Sequence, residues 1–152
     1  MNKQPNAIYT IGYEGATPGA FVTALRDAGV ELVLDIRAVP ISRKKGFSKN
    51  VLAALLADAG IEYRHLRALG TPKRGREAAR EGDLTAFERI FRAHLEEPEA
   101  LLDLGEALGL AKERPVCLLC MERDPVVCHR LIVAERMAGE SGQEIRRLSV
   151  AA

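Results

Sequence analysis

Short strand-like segments alternate along this chain with longer segments whose apolar residues recur at helical spacing. Five segments are predicted as strands: residues 7–11, 31–36, 61–66, 116–120 and 144–150. Short, largely apolar segments bounded by turn residues are typical of strands, and the amphipathic segments between them are typical of crossover helices. The alternation therefore predicts one α/β domain over residues 1–152, with three layers and a mostly parallel sheet of about five strands flanked by helices.

Helix starts are marked by residues that accept hydrogen bonds from free backbone amides. Thr17 and Asp124 each precede a proline, which is the arrangement of an N-cap followed by the first helical residue. Ser48 and Asp83 are predicted to cap two further helices, and Pro98 is predicted to end the helix that Asp83 begins and to start the next. Residues 67–82 show no clear hydrophobic period, so the sequence predicts a connection without regular structure there. A connection of this length is a candidate for a lid over a ligand.

Composition excludes several classes of protein. Hydrophobic residues make up 47% of the chain, which is enough for a sizeable core without covalent staples. Three cysteines, with no secretory signal in the first residues, argue against a framework of disulfides and favour a cytoplasmic location. Because the apolar runs are far shorter than the ~20 residues that a spanning helix needs, no membrane association is expected.

Charge is distributed unevenly. Residues 31–80 hold 11 Lys and Arg against 5 Asp and Glu, whereas residues 81–152 hold 9 against 14. The basic residues concentrate in two clusters, one around residues 43–49 and one around residues 73–80. Such clusters raise the local concentration of anions, so an anionic small molecule or a nucleic acid is the predicted partner.

Reactive side chains crowd the predicted turn between the fourth strand and the last long helix. They are Cys120, Glu122, Cys128, His129 and Arg130. Open parallel sheets bind ligands at the carboxyl ends of their strands. The free amides at a helix start and a guanidinium both favour anions. The sequence therefore predicts a site at this turn.

Polar residues also follow two other predicted strands. Gly12 and Tyr13 end the first strand, and Asp35 and Arg37 end the second. Asp35 and Arg37 are two residues apart, so their side chains can point to the same face. They form either part of a shared cleft or a partly buried ion pair that fastens the strand end. His65, at the end of the third strand, is a weaker candidate for the same site.

Three cysteines and a histidine occur within a short span and are possible zinc ligands. Cys117 and Cys120 are three apart in a predicted strand, so they point to opposite faces and cannot converge on one ion. Adjacent Cys128 and His129 on a helix also diverge. No metal and no cofactor are therefore predicted.

The chain resembles the bacterial and archaeal family called domain of unknown function 488. The resemblance rests on blocks that occur in order along nearly the whole chain: Thr10 to Tyr13, Asp35 to Arg37 with Pro40, Ser42, Arg43 and Phe47, Gly60 to Tyr63 with His65, Leu66, Leu69 and Gly70, and Cys120 to Glu122 with Cys128 to Arg130. It implies an α/β fold and a site built from these blocks, Ser42 and Arg43 among them. It supplies no established activity.

The leading hypothesis is an enzyme, a hydrolase or transferase, that acts on a phosphate-bearing substrate such as a nucleotide or nucleic acid. Arg37 and Arg130 would bind the anion, Asp35 would orient Arg37, and Glu122 would be the general acid, base or nucleophile. A carboxylate in a cleft can take these roles when its neighbours tune its pKa.

Two alternatives remain open. In the first, Cys120 is a thiolate nucleophile with His129 as its base, although the loop of a cysteine, five residues and an arginine that cradles anions is absent. In the second, the protein binds a nucleotide or nucleic acid without turnover, although it lacks the interleaved aromatic and basic residues of stacking platforms.

Overall fold

A computed structural model describes residues 6–121 and 129–150, and in this part of the chain five strands form one parallel sheet. The strands are β1 (Ile8–Gly12), β2 (Leu32–Asp35), β3 (Glu62–His65), β4 (Val116–Cys120) and β5 (Ile145–Arg147). Their order across the sheet is β3-β2-β4-β1-β5, and every pairing is parallel. The predicted fold class is confirmed, and the last strand is shorter than the sequence predicts.

Six helices and one 3₁₀ turn are described. The helices are α1 (Pro18–Asp27), α2 (Lys49–Asp58), α3 (Lys73–Arg80), α4 (Leu84–His94), α5 (Pro98–Glu113) and α6 (His129–Ser141), and the 3₁₀ turn is Arg67–Leu69. Among the described helices, none has the length and apolar character needed to cross a bilayer.

The sheet separates two hydrophobic cores. On one face, the side chains of α4, α5 and α6 pack on strand residues such as Leu34 and Leu118. On the other face, α1 and α2 pack on Val33 and Leu119. Neighbouring strand residues thus serve opposite cores, because side chains alternate along a strand. The result is the three-layer arrangement that the sequence predicts.

The predicted helix caps divide into two groups. Thr17 Oγ1 accepts a hydrogen bond from the Ala20 amide at 3.2 Å, and an Asp83 oxygen accepts from the Ala86 amide at 3.0 Å, so these caps are confirmed. Ser48 occupies the N-cap position of α2, but its hydroxyl instead accepts from the Ser42 amide at 3.0 Å. Ser48 therefore links the start of α2 to the loop that precedes it. The predicted cap at Asp124 lies outside the described residues.

The prediction of an unstructured connection over residues 67–82 is wrong. This segment contains the 3₁₀ turn and α3, which packs through Gly75 and Ala78. A Cβ on Gly75 would lie 2.6 Å from Cγ2 of Thr71, so the contact requires a residue without a side chain. Because small residues make the contact, the helix has no stripe of large apolar residues for a periodicity argument to detect.

The connections that follow β1 and β4 run in opposite directions across the sheet, toward β2 and toward β5. The chain passes from β1 through α1 to β2 and then through α2 to β3, all on one face. After β4, the chain continues into α6 on the other face. This reversal of direction is the topological switch at which open α/β sheets form a crevice beyond the carboxyl ends of their strands.

Candidate functional site

A cleft of about 550 Å³ opens at the carboxyl ends of β1, β2 and β4. Its lining comes from the loops after these strands, from the start of α6, and from α3 and α4, namely Tyr13, Arg37, Ala38, Val39, Ile41, Thr71, Arg76, Ala79, Arg80, Leu84, Phe87, Met121 and His129. The cleft therefore coincides with the topological switch, where ligands of such sheets bind. Its volume lies within the usual range of small-molecule sites.

The floor of the cleft contains a buried ion pair between Asp35 and Arg37. Nε and Nη2 of Arg37 donate to the two carboxylate oxygens at 2.9 and 2.7 Å, and the Arg37 amide donates to the same carboxylate at 3.1 Å. The hydroxyl of Tyr63 donates a short hydrogen bond to Asp35 Oδ2. Burial, followed by the hydrogen bond and charge of Asp35, raises the pKa of Tyr63.

Two aromatic residues complete this arrangement, which we call the Asp35 cluster (Tyr13, Asp35, Arg37, Phe47 and Tyr63). Nη1 of Arg37 donates to the carbonyl of Phe47 at 2.6 Å and to the Tyr13 hydroxyl at 3.3 Å. The rings of Tyr13 and Phe47 stack with centroids 4.5 Å apart. Burial alone lowers the pKa of Arg37, but hydrogen bonds and charge from Asp35, with Tyr13, outweigh it and raise the pKa.

Arg37 therefore uses most of its hydrogen-bonding capacity inside the protein. A guanidinium has five N–H groups, and four of those of Arg37 donate to partners in the Asp35 cluster. Its side chain is only 6% exposed, although it does line the cleft. The ion-pair interpretation of Asp35 and Arg37 thus describes the geometry, with at most one N–H left for a ligand.

His129 is the first residue of α6 and also lines the cleft. Its Nε2 donates to the Ile36 carbonyl at 2.6 Å, and its ring meets Phe91 edge to face at 5.3 Å between centroids. Burial lowers the pKa of His129 to about 4, and the charge of Arg130 acts in the same direction. The imidazole is therefore neutral at pH 7 and linked to the strand end of β2.

Arg130 and Cys120 lie beneath the cleft. Both are fully buried, and Nη1 of Arg130 donates to the sulfur of Cys120 at 3.0 Å. Neither lines the cleft. Nη1 of Arg130 thus has an internal partner, and the anion contact of Arg130 stays a prediction from the sequence. Cys120 is disulfide-bonded, which departs from the expectation of cysteines without disulfides, and a thiolate there requires reduction of that bond first.

Cys117 is a free, buried cysteine that packs in the core formed with α1 and α2. Burial raises the pKa of its thiol, and the charge of Arg130 opposes this effect only in part. Cys117 is thus an apolar packing residue of this core. In the described part of the chain, no group of three or more potential ligands is placed to hold a metal ion.

The remaining sequence candidates occupy different places. Gly12 is buried and pairs with Cys120 in the sheet, and His65 Nε2 donates to the Arg37 carbonyl at 2.7 Å. Ser42 and Arg43 belong to the loop after β2 and do not line the cleft. Glu122 and Cys128 lie outside the described residues.

Sequence reasoning missed the contribution of α3. Arg76 and Arg80 line the cleft, and Nη1 of Arg76 donates to the Thr71 carbonyl at 2.7 Å. Arg80 is exposed at the same wall. Both belong to the basic cluster around residues 73–80, and this local excess of positive charge is the sequence signal that could have identified them.

The fold and cleft define the class: a three-layer α/β protein with a basic cleft at the switch point of a parallel sheet. Residues 17–137 match the family described as Domain of unknown function DUF488. Because the match covers well over half of the chain, the protein belongs to this family, as the sequence resemblance predicts. No curated protein and no solved structure matches the chain significantly.

Proposed function

We propose that the protein is an enzyme that binds a phosphate-bearing substrate, a nucleotide or nucleic acid, in the cleft at the carboxyl edge of the sheet. The observation that carries the proposal is the charge of the cleft. Three arginines line it, Arg37, Arg76 and Arg80, and its described lining contains no carboxylate. A concave wall with one sign of charge concentrates anions of the opposite sign.

Guanidinium groups suit phosphate because they donate in a planar fork. The Arg76 bond to the Thr71 carbonyl uses one of its five N–H groups and fixes the orientation of the others. Arg80 is exposed at the same wall and is free to reorient. We therefore assign the main anion contacts to α3, with the last N–H of Arg37 as a secondary contact.

The rim of the cleft is apolar. Val39, Ile41, Leu84 and Met121 are exposed large hydrophobic residues, with Ile41 as high as 75% exposed, and all four line this one cleft. Clustered exposed apolar side chains indicate a binding surface, whereas scattered ones do not. Phosphate contacts beside an apolar wall suit a ligand that joins a phosphate to a planar base, which favours a nucleotide over a simple sugar phosphate.

Glu122 remains the proposed acid, base or nucleophile. It lies outside the described residues, but its chain neighbour Met121 lines the cleft. The role proposed for Glu122 rests on its residue type and on its place in the sequence directly after Met121. A cytoplasmic location stays a prediction from the sequence.

The second candidate function is a binding module without turnover. It is favoured by the environment of the titratable groups in the described lining. His129 is held neutral by burial, with its Nε2 donating to a backbone carbonyl. Arg37 is held by the Asp35 cluster. These groups are positioned for structure and recognition more than for proton transfer.

The test is calorimetric titration with thymidine and adenosine monophosphates, together with chromatographic analysis of the ligand after incubation. We expect binding that weakens as salt rises, because phosphate contacts are electrostatic. Arg80→Met should weaken binding about tenfold, the effect of losing one charge-assisted hydrogen bond. Arg26→Met is the matched control, since Arg26 is an exposed arginine on α1, away from the cleft.

Turnover distinguishes the two candidates. If products form, Glu122→Gln should retain binding and lose about 100-fold or more of the rate, as expected for a general acid or base. Binding without product formation for any nucleotide would select the binding module. Absence of salt-sensitive binding, or equal effects of Arg80→Met and Arg26→Met, would refute an anion site in this cleft.

A further inference from the structure

A second cavity of about 690 Å³ adjoins the cleft. It lies between the 3₁₀ turn, the start of α3 and one side of α5, and it is lined mainly by Arg67, Gly70, Lys73, His94, Glu99, Leu102 and Asp103. None of these seven residues lines the first cleft.

The two cavities share a wall. Ala38, Val39, Thr71 and Arg76 line both of them. Because Arg76 is bonded to the Thr71 carbonyl, its guanidinium is held at the junction. The two cavities are therefore adjoining parts of one surface, and a ligand long enough can occupy both.

The wall is fixed by a close approach between two segments of backbone. A Cβ on Gly70 would lie 2.2 Å from the amide nitrogen of Ala38, so the segment after β3 lies directly against the segment after β2. The 3₁₀ turn is fixed as well: Asp103 accepts from the Ala68 amide at 3.0 Å, and His94 donates to the Ala68 carbonyl at 2.7 Å. The second cavity is thus a preformed feature.

The charge of the second cavity continues that of the first. Arg67 and Lys73 are exposed on its wall, and Arg76 is shared. Its two carboxylates are Asp103, which accepts from the backbone of the 3₁₀ turn, and Glu99, which is exposed on the α5 side, so cations outnumber anions three to two in this lining. Cations from Arg80 through Arg76 to Lys73 and Arg67 thus line one continuous path, which matches an anion with repeated charges.

We infer that the two cavities form a single groove for a single-stranded oligonucleotide. This rests on the function proposed for the first cleft and extends it. One nucleotide occupies the first cleft, and the phosphates that follow pass Arg76 toward Lys73 and Arg67. A basic groove that tracks the backbone is one of the two features by which proteins hold single strands, and this feature, without a platform of stacking aromatic side chains, is the one proposed here. A mononucleotide fills only the first cleft and leaves Lys73 and Arg67 without contact.

The experiment compares thymidine monophosphate with a thymidine tetranucleotide on the full chain by calorimetry. We expect the tetranucleotide to bind at least about tenfold more tightly, and its affinity to depend more steeply on salt, by about 0.7 in log–log slope for each added phosphate contact. Arg67→Met combined with Lys73→Met should weaken tetranucleotide binding about tenfold and leave monophosphate binding unchanged.

Arg80→Met should weaken the binding of both ligands, and Arg26→Met should leave the binding of both unchanged. Equal affinity for the two lengths, with monophosphate still bound, would overturn the groove and leave the proposed function intact. Length-dependent binding that ignores the Arg67 and Lys73 substitutions would overturn the path through the second cavity. Absence of binding to either ligand would remove the proposed function itself, with the groove that depends on it.

Discussion

Two sets of arginines line the same cleft in opposite circumstances. Arg37 lies in the Asp35 cluster, where it is 6% exposed and donates four hydrogen bonds within the protein. Arg80 on α3 is exposed, and Arg76 is partly exposed with one bond to a carbonyl. The residue type is the same, but the second set faces outward with most of its donors available to a ligand, whereas Arg37 has at most one N–H available.

The difference follows from desolvation. A buried guanidinium must be paired and hydrogen-bonded, since an unpaired buried charge is very unfavourable. Most of its N–H groups are therefore already hydrogen-bonded within the folded protein and cannot bind a ligand. An exposed guanidinium keeps its hydration until a ligand replaces it. Substitutions in the Asp35 cluster should thus affect stability first, and substitutions on α3 should affect binding first.

The largest effect is expected from Asp35→Asn. Removing the negative charge leaves Arg37 buried without its partner, which should lower the free energy of unfolding by about 3–5 kcal/mol. Urea denaturation at neutral pH measures it. The double variant Asp35→Leu with Arg37→Met should recover part of the loss, because no lone charge remains. Unchanged stability in Asp35→Asn would show that the charge of Asp35 is not needed to keep Arg37 buried.

The next effect concerns pH. The pKa of His129 is about 4 in the folded protein, below the ordinary value of 6.5 expected on unfolding. Between these values the unfolded chain binds a proton that the folded chain does not, so stability should fall as pH drops from about 6.5 to 4. The total loss should approach about 3 kcal/mol.

Denaturation midpoints across this pH range test the His129 effect. In His129→Gln, the part of the slope that His129 contributes should disappear, since the side chain no longer titrates. An identical pH profile in the two proteins would mean that His129 is not held neutral by its position in the fold.

A smaller loss is expected from Gly70→Ala, which places a methyl group against the Ala38 backbone. Overpacking of this kind should destabilise the protein by about 1–3 kcal/mol and disturb the wall between the two cavities. Gly109→Ala is the control, because a Cβ on this exposed helical glycine meets nothing within 4 Å. It should stabilise the protein by about 0.5–1 kcal/mol. Similar thermal melts for both variants would argue against the close contact.

The smallest change in stability is expected from Arg80→Met. Exposed substitutions usually alter the free energy of unfolding by less than about 0.5 kcal/mol. Because this variant should weaken nucleotide binding about tenfold, it would separate binding from stability. A melting temperature lowered as much as in Asp35→Asn would show that Arg80, too, is committed to the fold.

The sequence predicted the sheet because strand and helix patterns depend on local spacing. Thr17 and Asp83 cap their helices as their residue types require. It did not predict α3, whose buried residues Gly75 and Ala78 are too small to form a stripe of large apolar side chains. The fit of Gly75 beside Ile90 of α4 becomes visible only when the two helices are adjacent in the fold.

The candidate site was predicted in part for the same reason. The ends of β1 and β2 place Tyr13 and Arg37 at the cleft, and the start of α6 places His129 there. Arg130, the next residue along α6, is fully buried and does not line the cleft. The spacing of strands in the sequence predicts which residues lie at the edge of the sheet. Which residue at the start of a helix faces the solvent depends on how that helix packs.

The central place of β4 has a consequence for biosynthesis. β4 joins β2 on one side to β1 on the other, and β1 and β2 do not pair directly. A nascent chain that has not yet released residues 116–120 can form the β2–β3 pair but has no strand to connect it to β1. The two halves of the sheet can therefore join only after β4 has been synthesised. Pairing between strands so far apart in the sequence slows folding, and the delay favours contact with chaperones on the ribosome.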